Sequence, residues 1–95
     1  MIVKKKMTTF DTITKELSDI QAKKNTDYGG SFYNMCDKFG LVAAAIPLSN
    51  KVERINNLIL NKASAINESL EDSLKDLANY AIMTLIYLRN NGKNK

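Results

Sequence analysis

Toward the C-terminal end of the chain, Leu70, Leu74, Leu77, Ala81, Leu85 and Leu88 recur at steps of three and four residues, which is the period of an α-helix. At about 100° per residue these six share one side, while Glu68, Asp72, Asp76 and Asn79 lie nearly opposite. Beyond Asn79 the polar side is replaced by Ile82, Met83 and Ile86. The second half of this helix is therefore apolar nearly all round and needs cover on both faces. The chain has 95 residues, enough for one domain. A domain of that size buries only about 60 to 65% of its unfolded surface, so part of the cover is expected from a second copy, in a dimer or tetramer.

The rest of the chain reads as helix too. Thr8, Thr9 and Asp11 can cap a first helix with apolar positions at Phe10, Ile13, Leu17 and Ile20, ending between Asn25 and Gly30. Ser31 can cap a short second helix that presents Phe32, Met35, Cys36 and Phe39, before Gly40 breaks the chain. Leu41, Ala44, Ala45, Leu48, Val52, Ile55, Leu58 and Ile59 then mark a longer helix. Pro47 lacks the amide that would bond Ala43, so a kink or a fresh start is expected there. The last helix is expected from about Asn67 to Asn90, with Gly92 as terminator. No apolar and polar alternation bounded by turns suggests a strand. The expectation is an all-α fold, a small bundle of three to four helices with a long C-terminal helix, completed by oligomerisation. One helical domain over 8–91 lies between basic ends at 1–7 and 92–95.

Charge and composition narrow the chemistry. The formal charge is +4, but Lys4, Lys5, Lys6, Lys93 and Lys95 sit at the ends, leaving nine basic against ten acidic groups over 7–92. Such a body suits a small phosphorylated ligand better than a long nucleic acid. The absence of histidine removes histidine triads, histidine-ligated zinc and a histidine general base. A single cysteine, Cys36, excludes an internal disulfide and fits a reducing compartment. The lysines after Met1-Ile2-Val3 are followed by no apolar stretch, and no apolar run approaches the roughly 18 residues of a membrane span. A cytoplasmic location in a bacterial host cell, away from membranes, is the expectation.

Three groups of residues could carry chemistry. Glu68, Asp72 and Asp76 step by four, so their carboxylates stack along one helix face. That arrangement either holds magnesium against a phosphate or is simply a solvated helix face. Lys23 to Phe32 joins lysines, glycines and a helix start, the ingredients of a phosphate cradle, with Tyr28, Phe32 and Tyr33 available to stack on a base. Lys51 and Arg54 share a face of the middle helix and suit a phosphate or an ion pair with the last helix.

The string Lys24-Asn25-x-Asp27-Tyr28-Gly29-x-Ser31-Phe32, then Phe39-Gly40-Leu41, then Lys51-x-x-Arg54, and finally Glu68-Ser69-x-x-Asp72-x-x-x-Asp76-Leu77-Ala78-Asn79-Tyr80-Ala81 resembles the nucleotide modification associated domain 1 family. The likeness covers about residues 10–90, with Pro47 and Asn50 departing from the pattern. It implies a short all-helical protein of phage or bacterial type with a nucleotide ligand. With such a ligand, the residues expected to bind it are Lys24, Asn25, Asp27, Tyr28, Gly29, Ser31, Phe32, Lys51, Arg54, Asn79 and Tyr80. A more distant similarity is to MazG-type all-helical nucleoside triphosphate pyrophosphatases. Those hold magnesium with acidic pairs whose nearest counterparts here, Glu68 with Glu71 and Glu16 with Asp19, come in reverse order along the chain.

The leading expectation is thus a phage-type protein that captures a small nucleotide, such as a cyclic dinucleotide or related immune signal, in an oligomeric helical pocket without cleaving it and without a cofactor. A magnesium-dependent hydrolase using Glu68, Asp72 and Asp76 and a structural protein-interaction module are the alternatives.

Overall fold

The computed structural model describes residues 7–28, 30–61 and 66–91, with the side chains of 25–28 and 66–69 outside the described residues. Four helices follow in order: α1 (Phe10–Tyr28), α2 (Ser31–Phe39), α3 (Val42–Asn61) and α4 (Ile66–Asn90). Among the described residues there is no strand. The fold is all-α, a small bundle with a long last helix.

Local chemistry explains where the helices begin and end. The hydroxyl of Thr9 accepts a hydrogen bond from the Thr12 amide at 3.2 Å, which caps α1. α1 ends at Tyr28, inside the stretch from Asn25 to Gly30 where its end is expected. Asn, Thr and Asp are only mildly unfavourable inside a helix, so Asn25 to Asp27 continue it. Ser31 does not cap α2. It is the first helical residue, and Gly30 stands at the cap without a side-chain hydrogen bond. The Gly30 carbonyl already accepts the Asn34 amide at 2.9 Å, closing the first turn one residue earlier.

Gly40 makes the reversal from α2 to α3. Its φ of 80° and ψ of −169° lie in a region open essentially to glycine alone. Its amide closes α2 on the Cys36 carbonyl at 2.8 Å, and the Ala43 and Ala44 amides reach back to the carbonyls of Gly40 and Leu41. α3 begins there and passes through Pro47, so no fresh start occurs at the proline. Pro47 forfeits only its bond to Ala43, which lies in the first turn.

α3 and α4 are antiparallel. Lys51 meets Asp76 and Arg54 meets Ser73, so α4 retreats as α3 advances. α2 runs alongside α4 in the same direction, with Phe32 at Tyr80 and Asp37 at Tyr87. α1 reaches the same stripe of α4 through Lys24 at Asp76 and Gln21 at Met83. Positions 76, 80, 83 and 87 thus form one inward line at helical spacing. The buried residues are Leu17, Cys36, Ala44, Ile55 and Met83, together with the polar Ser73 and Asn79.

The apolar stripes are covered unevenly. On α3, Ala44 and Ile55 are buried and Leu48 and Leu58 half-buried, whereas Leu41, Ala45, Val52 and Ile59 are exposed. Met35 and Phe39 of α2 are exposed, as is Phe10 at the start of α1. On α4 the polar side turns inward and Leu74, Ala81 and Leu85 of the leucine side are exposed.

A methyl group at Gly40 would meet nothing within 4 Å, so the cost of substituting it is torsional. Gly40→Ala is expected to lower stability by about 1 to 3 kcal/mol in urea unfolding. Gly30→Ala, at φ −98° with equally open space, should change it little.

Candidate functional site

Asp76 lies one turn before Tyr80 on the inward line of α4, where α1 and α3 both reach it. Its Oδ1 takes the Lys24 Nζ at 3.2 Å and its Oδ2 takes the Lys51 Nζ at 3.2 Å. One half-buried carboxylate therefore fastens three helices and holds two ammonium groups within reach of a single small anion. One turn along α3 from Lys51, the Arg54 Nε donates to the hydroxyl of buried Ser73 at 3.1 Å. Two cations thus meet on Asp76, and a third is held at Ser73, three residues back along α4, where Asp72 is exposed.

Deeper in the crevice the polar groups are short of partners. Asn79 is 6% exposed, yet its Nδ2 has no hydrogen-bond partner. Gln21 donates to the Met83 thioether at 3.3 Å, a weak acceptor, while its Oε1 has no partner. Leaving a buried amide half-satisfied costs about 1 to 3 kcal/mol. A fold that only needed packing would place an apolar residue at 79.

Lys24 and Lys51 are thus brought together within one chain, with Arg54 three residues from Lys51 along α3 and Asn79 three residues from Asp76 along α4. Tyr80 packs on Phe32 with ring centroids 5.7 Å apart, and Phe32 stacks edge-on to Tyr33 at 5.4 Å. These rings brace α2 against α4. Ser31 is exposed at the start of α2. The side chains of Asn25, Asp27, Tyr28 and Glu68, and the whole of Gly29, lie outside the described residues. Among the described residues no three acidic or cysteine side chains cluster as metal ligands. Glu16 pairs with Lys75 at 3.3 Å and Asp19 with Lys15 at 3.6 Å, so these two acids serve different partners. Sequence reading missed Gln21 and Ser73. Both are uncharged, and the available clue is their position one turn from Lys24 and Asp76.

A second polar contact closes the far end. The Tyr87 hydroxyl donates to Asp37 at 3.0 Å. Partial burial, and then this bond, push the Tyr87 hydroxyl above its usual range. Burial raises Tyr33 and Cys36 as well, aided by their charged neighbours Cys36 and Asp37 respectively.

The model of the nucleotide modification associated domain 1 family matches residues 24–88. This chain belongs to that family. The match begins at Lys24 and includes Lys51, Arg54, Asp76 and Asn79, whereas Gln21 and most of α1 precede it. Comparison with curated proteins and with solved structures gives no match. No helix among the described residues is long and apolar enough to cross a membrane.

Asp76→Ala removes the shared counter-charge of Lys24 and Lys51. Because all three groups keep solvent contact, the expected loss is about 1 kcal/mol in urea unfolding, smaller at high salt. The folded state also holds the Cys36 proton more tightly than the unfolded chain does. Stability should be complete below the ordinary thiol value of 9.0 and fall as pH rises past it. Melting curves taken across that range should show the fall, and Cys36→Ala should reduce it.

Proposed function

We propose that the chain binds a small phosphorylated nucleotide in the crevice between α1, α3 and α4 and holds it without cleaving it. The observation that carries this reading is the convergence of Lys24 and Lys51 on Asp76, three residues along α4 from buried Asn79, whose amide nitrogen has no partner. Two ammonium groups already gathered on one carboxylate have little ordering entropy left to lose when a phosphate joins them. Arg54 adds a planar donor one turn away along α3. The Asn79 amide supplies the kind of donor that reads the edge of a base or a ribose hydroxyl. Family membership favours a nucleotide over other phosphorylated ligands.

Capture is favoured over hydrolysis by the state of Asp76. Both its oxygens are engaged by lysines, and two ammonium groups on one carboxylate repel a magnesium ion that would have to share it. In this reading Asp76 keeps the two lysines gathered, and a bound phosphate shares them with it. Cyclic dinucleotides and related immune signals are the ligands to try first, as such a protein would act in a phage-infected cell by stoichiometric removal of the signal.

The test is to incubate the protein with candidate nucleotides, remove free ligand, heat the protein and chromatograph what it releases. Intact nucleotide is expected, and recovery of a cleaved product refutes capture. Lys24→Ala and Lys51→Ala should each weaken retention by about tenfold or more, the scale of one charge-assisted hydrogen bond. Asn79→Leu should leave the melting temperature unchanged or raise it while retention falls, because the amide is a burden on the fold alone.

A further inference from the structure

The exposed apolar residues of α3 and α4 form one face. On α3, Leu41, Val52 and Ile59 lie within about 20° of one another around the helix axis, and on α4, Leu74, Ala81 and Leu85 lie within about 40°. The five large residues are between 44% and 52% exposed. Leu85 is two positions from Met83, which places it about 160° away around α4 from the inward line. Because α3 and α4 are antiparallel, their bare stripes fall on the same side of the hairpin. α2 occupies the other side, and the first half of α1 borders the stripe at its Leu74 end, where Ile13 and Leu17 line a groove with Leu74.

The chain exposes 7529 Å², whereas a compact monomer of 10.7 kDa exposes about 5,500 Å². Part of that surplus belongs to residues outside the described ones, and the roughly 800 Å² that each partner contributes to a standard interface is less than half of it. The bare members of this stripe, at 41, 45, 52 and 59, are all apolar and step by four and seven, a spacing that keeps them on one side of the helix.

We infer that a second copy of this chain covers this face, two α3–α4 hairpins stacking back to back into a four-helix core. A face with the same stripe on two antiparallel helices is suited to match itself across a two-fold axis. An uncharged seam of this kind offers nothing to nucleic acid. The crevice around Asp76 and Asn79 then points outward on each copy, so the dimer carries one site per chain. That stoichiometry rests on the nucleotide-binding reading, and the pairing itself does not.

Sedimentation of the full chain at micromolar concentration tests the pairing. Twice the chain mass of 10.7 kDa is expected. Val52→Glu and Leu85→Glu should shift the protein to monomer, weakening association by at least about 100-fold. Ile46→Glu, at an exposed position on a different face of α3, should leave the dimer intact. Should the charged variants fail to fold, carbene footprinting of the unaltered protein reads the same face. Val52, Leu74 and Leu85 should label several-fold less than Val42 and Ile46, which are similarly exposed in one copy. A monomeric unaltered chain or equal labelling of the two sets overturns the inference, whatever other partner the face then takes up. Nucleotide retention is measured separately on the monomeric variants, so failure of the pairing is distinguishable from failure of the site.

Discussion

Asp76 takes Lys24 of α1 on one oxygen and Lys51 of α3 on the other, and the arrangement of the chain follows from that shared carboxylate. To reach both lysines, α4 must turn its polar side toward the other helices. Asn79 and Met83 then fall into the crevice, and Tyr80 and Tyr87 meet α2. The leucine side is left pointing away. Each ion pair is modest on its own, because the groups keep solvent contact. What they contribute is orientation: a rotation of α4 by half a turn would bury the leucines and strand two lysines without a counter-charge.

This orientation links the crevice to the bare face. A small helical chain ordinarily buries its most apolar stripe first, since burial contributes about 25 cal/mol per Å². Here the stripe that would contribute most is exposed at Leu74, Ala81 and Leu85, while the buried line includes Ser73 and Asn79. Under the two proposals made above, different faces of one helix meet two needs: the polar face holds a nucleotide, with the half-satisfied amide of Asn79 as a cost to the fold, and the apolar face takes a second copy.

Much of the architecture was legible from local patterns. Helical periodicity and turn residues place four helices, and the bounds of α4 agree to within one residue. Errors came where a local preference met a competing one. Ser31 is a good cap in isolation, yet the turn closes on Gly30 first. Pro47 disfavours a helix, but so near the start it removes only one bond. At the site, Lys24, Lys51, Arg54 and Asn79 were each recognisable as candidates. The meeting of Lys24 and Lys51 on Asp76 was not, because it depends on how α4 is rotated about its axis.

By itself, then, the sequence determined the helices, the turn at Gly40, the family, and the existence of a polar and an apolar side on α4, all of which arise from neighbours within a few residues. Tertiary structure alone decided which side of α4 faces inward. Periodicity is the same whichever way a helix is turned, and the choice is made by contacts between residues more than 20 positions apart, above all those that bring Lys24 and Lys51 to one carboxylate.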